Sequence, residues 1–308
     1  MGKAALVLAL VFMAGYATQR GSTCAVSAAQ EIVEQRRATR LAGFLLCAFV
    51  SLGLMGIAHL SGMAFGQTIG EAPFAATTLL GGALFGAGAY INGRCAFGTI
   101  AKLGSGELAR IGTLLGFLGG SMIAAFASMG TGVAASSLPL FTLAPSIMVI
   151  TALIGFGAMT AIVRNGPTSV NAGWSTQKAM IVIGLANGAL LLLAQGWSYT
   201  SLLMAVARGK VEAPACHGLI VATLIIGAIT GAVKGKTFQF DTGTIRQWLA
   251  TLGGGALMGL GAAFIPGGND RMLMLGFPML LPNLIAAYVA MMLALVLMII
   301  VIGKRQTQ

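Results

Sequence analysis

The sequence predicts an all-α polytopic membrane protein, for three reasons. Of its 308 residues, 57% are hydrophobic and only 8% are charged, and its mean hydropathy is +0.91. A soluble domain carries roughly 25% charged residues, so this chain has too few charges to cover a water-facing surface. Its apolar residues fall into nine runs, most of them near the ~20 residues that cross a bilayer as a helix. The polar stretches between the runs are too short to form a soluble domain.

The nine runs are expected to form nine membrane-spanning helices within a single transmembrane domain over 1–308. They lie at 5–18, 41–60, 75–91, 110–130, 145–163, 177–196, 216–233, 246–264 and 282–302. The first run is short and leads directly into a polar motif. We therefore expect it to be a membrane helix and not a cleavable signal peptide.

Lysine and arginine are distributed unevenly between the two ends of these runs. If successive runs cross the bilayer in alternating directions, 14 of the 18 basic residues fall on one side and four on the other. The positive-inside rule places the richer side in the cytoplasm, with the N-terminus outside and the C-terminus inside. Topology therefore accounts for the net charge of +11, and we expect contact with the lipid bilayer and none with nucleic acid.

Two polar breaks in the apolar runs share a pattern. They are YATQRGSTC, which ends at Cys24, and GAGAYINGRC, which ends at Cys95. Each holds an arginine, Arg20 or Arg94, close to its cysteine. Irregular backbone at membrane depth is tolerated only where it is buried in protein or lines a cavity. The breaks are therefore the first candidates for a solute path.

A second, weaker pair of breaks indicates an internal duplication. Segment 194–200 is similar to 17–24, and segment 259–270 aligns with 86–97 at an offset of 173 residues. The alternative explanation is chance similarity among helices that are rich in glycine and alanine.

A duplication predicts two repeats, one over about 1–130 and the other over about 177–302. The run at about 145–163 would then link them, and a single linking span inverts the second repeat. Thr200 and Gly268 mark the external breaks that match the two cytoplasmic ones. Inverted repeats with broken helices that meet near the membrane midplane are typical of transporters.

Each cytoplasmic break contains groups that favour an anion. Ser22 or Thr23 is expected to cap a short helix that runs through Cys24 to about Arg36. Exposed N–H groups at a helix start, together with the helix dipole, attract negative charge. The two arginines of the breaks add positive charge, although both residues also suit a role as cytoplasmic membrane anchors.

The two cysteines of the breaks occupy equivalent positions and indicate a soft ligand. A thiol is a weak hydrogen-bond donor and a polarizable contact, which suits a sulfur-bearing substrate better than a hard oxyanion. Metal binding and a disulfide are the alternatives. The sequence has no CxxC and only two histidines, so we expect no metal. Cys47 lies inside an apolar run and is expected to pack in the core.

The sequences around the two breaks resemble those of a known family. QRGSTCAVSA, from Gln19, and GRCAFGTIAKLGSGEL, from Gly93, are similar to the two signature segments of the YeeE/YedE family of sulfur-transport membrane proteins. The resemblance implies nine spans, with four inward loops and short re-entrant helices, in an hourglass-like protein of the bacterial inner membrane. It also implies a thiosulfate-type substrate passed along cysteine thiols, and a small cytoplasmic sulfur-carrier protein as a partner.

The last break departs from the family pattern. Cys24 matches the first family cysteine and Cys95 the central one, but Gly268, in PGGND, stands where the third is expected. Glycine is expected to leave room and backbone N–H groups for an anion. Asn269 is expected to donate hydrogen bonds to an oxyanion.

Two further features near the breaks call for an interpretation. Asp270 should repel an anion unless it pairs with Arg271 or is protonated. The stretch RNGPTSVN, which begins at Arg164, is expected to be a plain cytoplasmic turn; lining of the inner vestibule is the alternative.

Three function classes remain open at this point. The first is a transporter that imports a small sulfur-containing anion, thiosulfate or a close analogue, along a path formed by Cys24, Cys95, Arg20, Arg94, Thr200, Gly268 and Asn269. The second is a thiol-dependent membrane redox protein or enzyme, and the third is an anion channel. An enzyme should show an acid–base set, a metal site or a cofactor motif. We see none in the sequence, so we expect a transporter without catalytic residues or cofactor.

Overall fold

The computed structural model describes residues 2–62, 68–71, 75–127, 134–137, 145–164, 173–194, 197–211, 214–265 and 267–303. The helices within these ranges are α1 (Gly2–Arg20), α2 (Ala25–Gln35), α3 (Thr39–Leu60), α4 (Ala76–Asn92), α5 (Ala96–Gly104), α6 (Arg110–Phe126), α7 (Pro145–Arg164), α8 (Thr176–Ala194), α9 (Tyr199–Ala207), α10 (Pro214–Lys234), α11 (Ile245–Phe264), α12 (Asn269–Arg271) and α13 (Pro282–Gly303). A π-helical segment, Met272–Gly276, continues α12. Two strands, β1 (Thr68–Glu71) and β2 (Ala134–Ser137), pair antiparallel.

The predicted class, an α-helical membrane protein, is confirmed. Nine of the described helices have 17 to 22 residues, and each coincides with one of the nine apolar runs. By length and hydropathy, six described helices are able to cross a membrane, or seven if α11 and the segment after it form one span bent by 51°. With 17 residues each, α4 and α6 are shorter than the ~20 residues that cross a bilayer as a helix. The count of nine membrane spans therefore stays a prediction.

Four short helical segments follow the breaks. They are α2, α5, α9 and α12 with its π-helical continuation, and their N-cap residues are Cys24, Cys95, Ser198 and Gly268. The short helix predicted after the first break is present, but its N-cap is Cys24, whose side chain makes no capping bond. The hydroxyl of Thr23 instead donates to the carbonyl of Thr18, at 3.3 Å. The prediction that Ser22 or Thr23 caps this helix is therefore wrong.

The long helices pack closely because glycines of one helix lie against the backbone of its neighbour. Helix α6 lies against α11, and a Cβ at Gly116 or Gly120 would overlap the backbone of Leu252 or Ala256. A Cβ at Gly15 of α1 would overlap the backbone of α10 in the same way. Small residues at such contacts let membrane helices approach closely, which increases their van der Waals contact.

The order of helices is the same in the two halves of the chain. Both α1–α6 and α8–α13 run long, short, long, long, short, long, and α7 stands between them. Helix α1 packs on α10 as α8 packs on α3, and α4 packs on α13 as α11 packs on α6. A two-fold relation between the halves would make the members of each such couple of pairings equivalent, and the repeats themselves stay a prediction. The inverted orientation and the repeat boundaries stay predictions.

Some of the sequence predictions fall outside the described residues. These are Gln195 and Gly196 of the weaker repeat match, Pro266 of the last break, and the expected turn at 165–171, of which only Arg164 is described.

Candidate functional site

The breaks meet at one point through hydrogen bonds that join one break to another. The backbone N–H of Ala25, at the start of α2, donates to the Sγ of Cys95 at 3.1 Å. The N–H of Ala96, at the start of α5, donates to the Oδ1 of Asn269 at 3.1 Å. The phenol of Tyr199, at the start of α9, donates to the carbonyl of Ala96 at 2.8 Å. The starts of the short helices therefore form a common centre.

The thiols of Cys24 and Cys95 lie close together at this centre, since Ala25, the neighbour of Cys24, bonds to the sulfur of Cys95 and the sulfur of Cys24 packs on the helix that Cys95 caps. Both cysteines are buried, with 4% and 0% of their surfaces exposed. The sulfur of Cys24 packs against the first turn of α5, where a Cβ at Gly98 would lie only 2.7 Å from it. Gly98 is thus required for the approach of α2 to α5. Both cysteines are free thiols, and the described residues contain no cluster of metal-ligating side chains.

A cavity of about 240 Å³ leads from the predicted cytoplasmic side to Cys24. Its lining includes Arg20, Arg94 and Lys102, so a positive surface faces the thiol. Arg94 donates to the hydroxyl of Ser27 at 3.3 Å. The Nε of Arg20 is buried and has no hydrogen-bond partner among the described residues. This arrangement suits an anion that moves between the centre and the cytoplasm.

Two acids, Glu107 and Asp241, line this inner cavity together with the basic residues. Glu107 forms ion pairs with Lys102 at 2.7 Å and with Arg110 at 3.0 Å. Partial burial opposes its ionisation, but the hydrogen bonds and charges of these two partners lower the pKa of Glu107 below its ordinary value. Glu107 is therefore ionised at neutral pH and neutralises part of the basic lining.

One wall of the inner cavity comes from the polar segment between α10 and α11. The N–H of Gln239 donates to the carbonyl of Ser105 at 2.8 Å, and the N–H of Asp241 donates to that of Gly106 at 3.0 Å. The side chain of Gln19 adds a bond to the hydroxyl of Ser105 at 2.7 Å. Sequence reasoning missed this wall. In the sequence this segment is a polar stretch between two apolar runs, which predicts an ordinary loop.

The opposite side of the centre is built by Thr200 and the segment after Gly268. The N–H of Gly268 donates to the Thr200 hydroxyl at 2.9 Å, and that hydroxyl donates to the carboxylate of Asp270. A Cβ at Gly268 would lie 2.8 Å from the Cγ2 of Thr200. The expectation that Gly268 leaves room for an anion is therefore wrong, because Thr200 fills that room.

Asn269 holds two segments together at the centre. It is 1% exposed, and its Oδ1 accepts the bond from Ala96. Its Nδ2 is buried and has no hydrogen-bond partner within the described part of the chain. The amide thus has an unused N–H donor close to the start of α5, next to the thiols.

A second cavity, of about 40 Å³, lies beside the start of α5. It is largely apolar, and its lining includes Phe97, Trp197, Tyr199 and Asp270. The centre is therefore bordered by a small apolar cavity as well as by the basic inner one.

The structure brings together the residues that the sequence predicted as a site, in two groups. Cys24, Cys95, Thr200, Gly268 and Asn269 surround the centre, while Arg20 and Arg94 line the inner cavity beside Cys24. The sequence did not predict Tyr199 as a site residue, because a single tyrosine next to a threonine forms no recognisable motif. Cys47 is 1% exposed and packs among apolar residues, as predicted.

Comparison with known proteins agrees with this geometry. A family model described as sulphur transport matches residues 20–297, which is nearly the whole chain and runs from within the first break to beyond the last. A search of curated proteins finds no significant match. Members of the matched family are membrane transporters and not enzymes, which agrees with the absence of a catalytic set in the sequence. The chain thus belongs to the YeeE/YedE family of sulphur-transport proteins and is a multi-pass membrane transporter of a sulfur compound.

Proposed function

We propose that the protein imports thiosulfate, or a closely similar sulfur-containing anion, across the bacterial inner membrane. One observation carries the proposal. The thiols of Cys24 and Cys95 lie close together at the starts of two short helices, at the end of a basic cavity. Soft sulfur contacts and an anion-attracting environment thus coincide at one point.

The chemistry of this point fits an anion with a sulfur terminus. Thiols donate weak hydrogen bonds and are polarizable, so they suit a terminal sulfur. Backbone N–H groups at helix starts, with the dipoles behind them, suit the oxygens of the same ion. Arg20 and Arg94 then attract the anion towards the cytoplasm along the inner cavity.

The outer half of the path works without a third thiol. In its place, Thr200, Gly268 and Asn269 offer a hydroxyl, a backbone N–H and an amide. The Thr200 hydroxyl and the Gly268 N–H are bonded to each other, so an incoming anion must take over or bypass that bond. The unused Nδ2 of Asn269 is ready to donate without such an exchange.

The proposal also includes an orientation and a partner. The N-terminus lies outside and the C-terminus in the cytoplasm, in line with the 14 to 4 distribution of basic residues. A small cytoplasmic sulfur-carrier protein is the proposed receiver of the substrate at the inner cavity, by resemblance to the family.

An anion channel is the second candidate, and one experiment separates the two. Purified protein in lipid vesicles should take up radiolabelled thiosulfate and exchange it for unlabelled thiosulfate, whereas chloride flux should match that of empty vesicles. Chloride flux without thiosulfate exchange would favour the channel and contradict the proposal. Sulfite and sulfate, tested as competitors, would show how narrowly the path selects a sulfur terminus.

A further inference from the structure

Asp270 is a buried acid at the centre, and the path proposed above gives it no task. It is 3% exposed. Its carboxylate accepts hydrogen bonds from the backbone N–H of Thr200 at 3.2 Å, from the Thr200 hydroxyl, and from the N–H of Arg271 at 3.0 Å. Thr200 is the second residue of the nine-residue helix α9. A negative side chain of the protein itself therefore occupies the helix start on the outer side.

The same helix start borders the proposed path. Gly268 donates to the Thr200 hydroxyl that also binds Asp270, and Asn269, the neighbour of Asp270, binds the first turn of α5. A substrate anion at the centre therefore adds a second negative charge close to this carboxylate. Two like charges in a buried site disfavour each other, and a carboxylate responds by binding a proton.

The other titratable and charged groups around Asp270 are Arg271 on its own segment, Tyr199 on α9, and Cys95 at the start of α5 with Cys24 beside it. An arginine stays protonated, and a buried phenol already carries its proton near neutral pH. Asp270 is the carboxyl group at the described centre, and proton uptake by a buried carboxylate removes its negative charge when a second anion approaches.

We propose that Asp270 binds a proton from the outer side as the substrate anion reaches the centre, and releases it on the cytoplasmic side when the anion leaves. Import is then coupled to the inward movement of protons. The carboxylate becomes a carboxylic acid on loading and a carboxylate again on release, so no other reactant is needed. The inference rests on the proposed function, because it requires the anion to pass this centre. Ionisable groups inside membrane domains commonly mark such proton paths.

The test uses wild-type protein and two variants in lipid vesicles with the membrane potential held at zero. An inward proton gradient should make wild-type vesicles accumulate radiolabelled thiosulfate, by about tenfold per pH unit if one proton accompanies each anion. A protonophore should reduce this to simple equilibration. Asp270→Asn should still exchange labelled for unlabelled thiosulfate but should not respond to the gradient. The amide keeps an oxygen for the Thr200 N–H and is unable to change its charge.

Glu34→Gln is the matched control, because Glu34 is an exposed acid near the end of α2 and its replacement should leave the response as in wild type.

A second measurement needs no variant: thiosulfate added outside wild-type vesicles should acidify the interior, as reported by an enclosed pH-sensitive dye. A wild type that exchanges thiosulfate but neither acidifies the interior nor responds to the gradient would overturn the inference and leave the proposed function intact. An Asp270→Asn protein that still accumulates thiosulfate would also overturn it. A wild type that exchanges no thiosulfate would contradict the proposed function, and this inference with it.

Discussion

Cys95 joins two segments at the centre of the molecule and places a polarizable sulfur there. It is fully buried, and its sulfur accepts the hydrogen bond that joins the start of α2 to α5. Cys47, by contrast, lies in α3 and belongs to the hydrophobic core. The two cysteines therefore allow the effect of a thiol on the path to be separated from the effect of a thiol in the core.

Replacing Cys95 should abolish transport without preventing membrane insertion. We expect Cys95→Ala to block growth on thiosulfate as sole sulfur source, in a host that lacks its own thiosulfate uptake, because the central soft contact is lost. Cys95→Ser keeps an acceptor for the Ala25 N–H but not the polarizable sulfur, and should also fail. Cys47→Ala should grow like wild type. Growth of Cys95→Ala at the wild-type rate would show that this thiol is not on the path.

Asn269 has one amide atom bound to the protein and one that is unused, which makes its role testable. Loss of a hydrogen bond to the substrate should cost about 1–3 kcal/mol of binding, or about 5- to 150-fold in KM for uptake. We expect this loss in Asn269→Ala. Asn269→Asp keeps the acceptor for Ala96 but lacks the donor, so it should be impaired as well. Normal uptake kinetics in Asn269→Asp would indicate that Asn269 only joins the two segments.

At the scale of elements, close helix contacts hold the short helices in place. Helices α6 and α11 approach until the backbone of one touches the glycines of the other, and α4 lies on the other side of α11. Because α4 and α11 lead directly into the breaks at Cys95 and Gly268, their separation sets the geometry of the centre. A methyl group added at such a contact should therefore disturb both stability and transport.

Two neighbouring glycines of α6 provide a matched test. A Cβ at Gly120 would overlap the backbone of Ala256, whereas a Cβ at Gly119 has no atom within 4 Å. We expect Gly120→Ala to be destabilised by about 1–3 kcal/mol through overpacking. Gly119→Ala should be neutral or slightly stabilised, because alanine is the better helix former. Thermal unfolding of the detergent-solubilised proteins measures both, and equal Tm values would contradict this description of the α6–α11 contact.

At the scale of the whole molecule, the helices pair as a two-fold duplication requires. The pairs α1 with α10 and α3 with α8 are equivalent under such a relation, as are α4 with α13 and α6 with α11. This pattern is the one that two-fold related repeats would give, and the repeats stay a prediction. Their inverted orientation depends on the number of spans, which topology measurements decide.

A C-terminal fusion should report the cytoplasm. The 14 to 4 distribution of basic residues predicts that a C-terminal fluorescent protein becomes fluorescent and that a C-terminal periplasmic phosphatase stays inactive. An N-terminal tag should be accessible from the periplasmic side in cells whose outer membrane has been removed. Termini on the same side would overturn the odd number of spans and, with it, the inversion of the second repeat, whereas a reversal of both results would overturn the orientation alone.

The sequence by itself determined the membrane class, the position of the nine long helices, and the two cysteine-containing breaks. These are local properties: a run of apolar residues forms a helix in lipid whatever lies beside it, and an interruption by glycine and polar residues is visible directly. Only the tertiary structure decided what meets at the centre. The bond from Ala96 to Asn269 joins residues 173 positions apart, and Thr200 fills the space beside Gly268 from 68 positions away. No local pattern encodes such contacts, because they depend on how several helices pack at once. For the same reason, the sequence predicted only an ordinary loop where Gln239 and Asp241 form a wall of the inner cavity.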